Sequence, residues 1–319
     1  GVLFATWADR DLGLAGRVSL AGRSDQIETR LVRVDRPVFR IPNLAIHLNR
    51  NVNSDGLKLN KQDHLPAVWA LAEREEPGGF QAWLGEELGT AAEQILGWDL
   101  CLFDTQPPSL GGRNSEFIHA PRLDNQASCH AALTALLETA DEDQTSTAVI
   151  ALFDHEEVGS RSSRGAAGSF VRDVLARLAG DGASDLPRAL AHSFMISADM
   201  AHGVHPNYSD KHDAQHRPML NGGPVLKTHS EWRYATDAEC SALFRSFCRD
   251  AGVPMQEFVN RSDLRCGSTI GPIVSASLGV RGVDVGNAMW SMHSIRETGG
   301  SQDQPLMIAV MRHFLGWSE

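Results

Sequence analysis

Four short segments of this 319-residue chain carry side chains that could do chemistry together. They are Arg122-Leu123-Asp124-Asn125, residues 153–160 (FDHEEVGS), residues 196–202 (ISADMAH) and Ser291-Met292-His293-Ser294. The first three each follow a strand or strand-like run, and the fourth lies just before a terminal helix. Strand carboxyl ends in an open α/β sheet converge on one crevice. Asp, Glu and His delivered there form a ligand set for zinc, cobalt or manganese. The adjacent carboxylates Glu156 and Glu157 repel each other unless a cation binds. In an extended segment neighbouring side chains point to opposite sides, so one could bind metal while the other meets a water. A metal lowers that water's pKa towards ~7, and a free carboxylate can take its proton. Taken singly, each residue has a plainer reading. Asp124 would cap the Ala-rich helix behind it, Asp199 would sit in a turn, the Glu pair would be a solvated acidic turn, and His293 would be a core histidine. Only jointly do they indicate a metal site.

The elements that must position these residues can be read from periodicity and punctuation. Residues 1–113 are β-rich, with strand patterns at 31–39 and 98–103, a polar turn-rich stretch at 49–56 and a charged segment at 73–79. Residues 106–114 read as a linker, and a domain boundary is placed at 113. From 114 to 319 the pattern alternates. A helix is expected at 128–139, a buried strand at 147–153, a helix at 169–178 and a strand at 193–198. Thr236 and Glu239 suit a capping box, with a helix running to about residue 251 before Gly252. A strand at 255–259 follows, then a last helix with Pro305 in its first turn. This alternation predicts an α/β sandwich with a largely parallel sheet.

Composition narrows the function classes. A net charge of -11 argues against nucleic acid, whose backbone demands basic surfaces. No run reaches the about 18 apolar residues of a membrane span. The five cysteines form no CxxC pair, which fits a reducing cytoplasm rather than a disulfide framework. No GxSxG elbow, HExxH helix, phosphate loop or GxGxxG fingerprint occurs. His155-Glu156-Glu157-Val158-Gly159 starts like HExxH and lacks the second His.

The segments RLDNQASC, FDHEEVGS, SADMAHGVHPNY, KHDAQHRP, GGPVLK, CGSTIGPI and SMHSIRE resemble those of the M18 family, the aspartyl aminopeptidases. WADRDLGLAGRV and IPNLAIHLNRNVN are similar to that family's insertion domain. The resemblance implies a three-layer α/β catalytic domain with an inserted β-rich dimerisation domain. It implies two divalent ions, zinc first, with cobalt or manganese as alternatives. Asp124 would bridge them, Glu157 and His293 would bind one, Asp199 the other, and Glu156 would be the general base. Lys227 would face the acidic side chain of the substrate, which a charge-assisted bond would stabilise. His205 would contact substrate, and His47 would reach into a neighbouring subunit's site. The glycine-bearing run 267–269 would either present N–H groups to substrate or cap a helix. The substrates implied are peptides with N-terminal Asp or Glu, and the assembly implied is a closed tetrahedral dodecamer built from dimers.

Two departures qualify the resemblance. The family's first metal ligand is a His in an HTDSP-like segment, which does not occur here, and Asn43 stands where many relatives carry His. The chain also opens in apolar sequence without an initiating Met, which reads as a start inside a longer protein. Three rival functions follow: an aminopeptidase of neutral or broad specificity, a catalytically impaired assembly subunit, and a metal-dependent glycan hydrolase.

Overall fold

The computed structural model describes residues 1–71, 79–140 and 145–317. Most of the charged stretch at 73–79 lies outside them. The chain divides into two compact units, Val2–Pro107 and Pro108–Glu319, with Gly1 grouped with the second.

The first unit is built on strands β1 (Leu12–Ala21), β2 (Ile27–Phe39) and β3 (Ile95–Asp104), an antiparallel sheet in the order β2-β1-β3. The central strand reads apolar at alternate positions, and Leu12, Leu14, Val18 and Leu20 are buried accordingly. Two one-turn helices, α1 (Val52–Asp55) and α2 (Lys61–His64), occupy the turn-rich connection. Helix α3 (Gly79–Leu88) brings Phe80 and Trp83 against Phe39 and Trp69 in tilted and edge-on ring contacts.

In the second unit β4 (Ser109–Gly111) and β5 (Phe117–Ala120) precede helix α4 (Leu123–Thr139). Helices α5 (Phe170–Ala179) and α6 (Asp185–Ala191) follow, then β6 (Phe194–Ala198), β7 (Ala201–His202) and β8 (Val225–Thr228). The chain continues through α7 (Ala238–Asp250), β9 (Gln256–Val259), α8 (Ile270–Leu278), β10 (Arg281–Gly286), β11 (Ala288–Trp290), β12 (Glu297–Gly300) and α9 (Asp303–Leu315). One sheet has the order β6-β10-β8-β9, with β6–β10 and β8–β9 parallel and β10–β8 antiparallel. The other has the order β4-β5-β12-β11-β7 and is antiparallel except at β11–β7.

Strand β10 shows why this unit is layered. Val283 and Val285 point into a core built by Ala131 and Ala135 of α4, Phe244 and Phe247 of α7, and Met307 and Val310 of α9. Asp284, between them in sequence, must face the other way. There it accepts hydrogen bonds from Ser197 and from Thr269 at the start of α8. Helices therefore cover both faces of the sheet, which makes the three-layer α/β arrangement that the resemblance implies, but the strand pairing is mixed in both sheets where the alternation predicts a largely parallel sheet.

Three local expectations are corrected. Within residues 147–153, Ala148 and Ile150 pack on the core and Val149 and Leu152 are exposed, but the segment joins no ladder. No strand among the described residues offers them backbone partners. Thr236 is not the N-cap of α7. Asp237 takes that place, accepting from the Cys240 N–H at 2.7 Å, while the Thr236 hydroxyl accepts from the Asp284 N–H at 2.8 Å. The linker at 106–114 contains β4, whose backbone pairs with β5.

The end of β10 passes very close to the end of β6. A Cβ on Gly286 would lie 1.6 Å from the Asp199 carbonyl oxygen. Gly286→Ala is predicted to force these strand ends apart and to destabilise the protein by roughly 1–3 kcal/mol, the usual cost of overpacking. Chemical denaturation of the two proteins measures this, and equal midpoints would contradict the close approach.

Candidate metal centre

Each candidate ligand sits at a break in regular structure. Asp124 and Asn125 lie in the first turn of α4 with non-helical backbone, and Arg122 before them is left-handed. The Asn125 side chain donates to the Ala198 carbonyl at 2.8 Å, tying this turn to the end of β6. Asp199 follows at once, its N–H donating to Val285 at 2.9 Å. His293 lies in the turn between β11 and β12 with a φ of +66°. Glu156 and Glu157 occupy a 3₁₀ turn, Glu156–Val158, entered through left-handed His155 and left through Gly159. The sequence reading placed this pair in an extended segment. The turn replaces that geometry, so the two carboxylates diverge by turn rotation and not by strand alternation.

Among the described residues, Asp124, Glu157 and His293 bring one ligand atom each to within 4.8 Å of one another. The His293 Nε2 is 3.0 Å from Asp124 Oδ2 and 3.3 Å from Glu157 Oε2. Bonds of about 2.0–2.1 Å at a tetrahedral ion separate ligand atoms by about 3.3 Å, so this spacing suits zinc or a similar ion. The Asp124 side chain is 6% exposed, whereas that of Glu157 is 51% exposed and borders solvent.

The electrostatics point the same way. Burial, the charge of Asp199 and a hydrogen bond between the two carboxyl groups push Asp124 up to about 9, with Glu157 and Glu297 adding to the rise. Burial, Asp199 and Glu157 push Glu156 up to about 7, against a smaller opposing effect of Lys227. These acids crowd one another in a partly desolvated place, where a cation is the missing complement.

The remaining candidates fall into distinct settings. Lys227, on β8, is 2% exposed. Its Nζ donates to the carbonyls of Asp199 and Met200 at 3.3 and 3.2 Å and lies 5.1 Å from the Tyr234 ring centre. His205 is half-buried; its N–H donates to His212 Nε2 at 3.2 Å, and its ring packs on Tyr208. His47 lies on an exposed turn of the first unit. Thr269 starts α8 without a side-chain cap and donates instead to Asp284 at 2.6 Å.

Sequence reasoning missed Glu297 and Asp284. Glu297 is 2% exposed and accepts from the backbone N–H groups of both Asp124 and His293. Its one available signal was the acid four residues after a candidate ligand, which is also a common surface spacing.

Comparisons with known proteins place the chain among zinc metalloproteases. The profile of the family described as Aminopeptidase I zinc metalloprotease (M18) matches residues 1–315. The probable M18 family aminopeptidase 2 of Azotobacter vinelandii is 48% identical over 318 residues, which are 98% of this chain and 73% of that protein. The Ape4 chain in the cryo-EM structure of an Ape4–Nbr1 complex superposes with a TM-score of 0.91 at 35% identity, covering 99% of this chain and 65% of that one. The mApe1 dodecamer of S. cerevisiae gives a TM-score of 0.80 at 30% identity, covering 98% of this chain and 70% of that one. This chain therefore spans less than two thirds of the Ape4 chain.

Asp124→Asn and His293→Ala are each predicted to weaken zinc binding by more than about 100-fold, beyond the range usual for outer-shell changes. Competition with a chromophoric chelator measures it. Unchanged affinity in either variant would remove that residue from the ligand set.

Proposed function

Because the chain belongs to the M18 family of zinc metallo-aminopeptidases, we propose that it removes acidic residues from the N-termini of peptides, using two divalent ions of which zinc is the first choice. The observation that carries this reading is the group Asp124, Glu157 and His293 with Glu156 beside it. Bound there, divalent ions supply Lewis acidity towards water and towards a peptide carbonyl. Asp124, Glu157 and His293 would hold one ion, and Asp199, with Asp124, would hold the other.

The chain's own groups then handle the protons. Glu156 takes the proton from the attacking water and passes it to the leaving amine, as a carboxylate next to a ligand can. Lys227 carries specificity in this account. Two of its three N–H donors meet the carbonyls of Asp199 and Met200, and the third would meet the substrate carboxylate. His205 lines the substrate path, and His47 acts from a neighbouring subunit.

The β-rich unit pairs subunits into dimers, and dimers build a dodecamer; the S. cerevisiae neighbour is a dodecamer. A reducing cytoplasm suits its five free cysteines. No helix among the described residues is long and apolar enough to cross a membrane.

A second reading, an aminopeptidase of broad specificity, is favoured by the same two bonds of Lys227, which also make it a support for the Asp199 turn. Glu156→Gln is predicted to keep its metal and to lose about 10²–10⁴-fold in turnover, the usual worth of a general base. Near-normal turnover would exclude Glu156 from that role. Lys227→Met is predicted to lose activity on Asp and Glu substrates selectively. Equal loss on an Ala substrate would favour the broad-specificity reading.

A further inference from the structure

Strand β12 lies in the middle of its sheet, between β5 and β11. The two neighbours lead to Asp124 and His293. Strand β5 ends at Ala120, which pairs with Glu297, and the chain then reaches Asp124. Strand β11 ends at Trp290, which pairs with Thr298, and the chain then reaches His293. Glu297, the first residue of β12, therefore stands between the two ligand turns.

Its carboxylate uses both oxygens on them. Oε2 accepts from the Asp124 N–H at 3.0 Å, and Oε1 accepts from the His293 N–H at 2.7 Å. These are the backbone groups of the ligand residues themselves. One of them, His293, is a non-glycine residue at a φ of +66°, a conformation that surrounding contacts must hold. The side chains of the same two residues place Nε2 and Oδ2 3.0 Å apart.

We propose that Glu297 is a positioning residue for the metal centre, a bidentate clamp that sets the separation of Asp124 and His293 before an ion arrives. The inference rests on the reading of this group as a metal site. A carboxylate is needed because both groups it meets are donors. Glutamine offers one acceptor oxygen and turns an N–H towards the other donor. Aspartate keeps the charge but is one methylene shorter and cannot span both turns. A clamp of this kind affects the ion through ligand geometry, as outer-shell partners of metal ligands do.

The test is titration of the full chain with cobalt(II), followed by its visible absorption, on wild type, Glu297→Gln and Glu297→Asp, with circular dichroism to establish folding. In either folded variant the dissociation constant is expected to rise about 10–100-fold, with an altered absorption envelope. Wild-type affinity and spectrum in a folded variant overturn the proposal. Amide hydrogen exchange on the wild-type chain before metal is added gives an independent result that needs no variant. Asp124 and His293 amides are expected to be protected, and exchange at the rate of open loops overturns the clamp. A wild-type chain that binds no cobalt removes the metal reading and this inference with it.

Discussion

Acidic side chains crowded into one partly buried place repel one another. Two carboxylates 4 Å apart cost about 4 kcal/mol at an effective dielectric of 20, before any loss of hydration is counted. Here the charges of Asp199, Glu157 and Glu297 raise the proton affinity of Asp124, and those of Asp199 and Glu157 raise that of Glu156, on top of burial in both cases. Such a cluster is stable only with neutralisation by protons or by a cation. The raised affinity of Asp124 and Glu156 for protons expresses the first solution, and the convergence of three ligand atoms on one point fits the second. The surrounding architecture makes sense as what holds these groups together against that repulsion.

Its devices are backbone contacts more than side-chain pairs. Asn125 ties the first turn of α4 to the end of β6, Lys227 grips the carbonyls of Asp199 and Met200, and Glu297 joins the Asp124 and His293 turns. Gly286 lets β10 approach β6 closely enough for the Asp199 N–H to reach Val285. Asp284 gathers Ser197, Thr269 and Ala235 on the sheet face opposite the main core. A buried carboxylate that accepts this many hydrogen bonds stiffens the loops it meets. The ligand-bearing turns are thus positioned from sheet and helix ends, which suits a site whose geometry must survive turnover.

Much of this was legible from residues alone. The helices at 170–179, 238–250 and 303–315 follow their apolar periodicity and end signals, and the strands at 194–198 and 256–259 follow short apolar runs. Of the ligand candidates, Asp124, Glu157 and His293 converge, because strands and turns deliver them to one side of the layered unit. What was hidden depends on tertiary partners. Residues 147–153 have the pattern of a strand, but a ladder needs a neighbour that the pattern cannot name. Thr236 has the type and spacing of a cap, yet Asp284 takes its hydroxyl and Asp237 caps the helix instead. Glu297 looked like one acid among the 40 acidic residues of the chain until the sheet placed it between two ligand turns.

The central claim is that Asp124, Glu157 and His293 bind one divalent ion. Anomalous scattering from a crystal of the full chain grown with zinc tests it most directly. The account predicts a strong peak about 2 Å from His293 Nε2 and from carboxylate oxygens of Asp124 and Glu157. A map with no peak there, or with zinc bound by other residues while His293 keeps its contacts with Asp124 and Glu157, would contradict it.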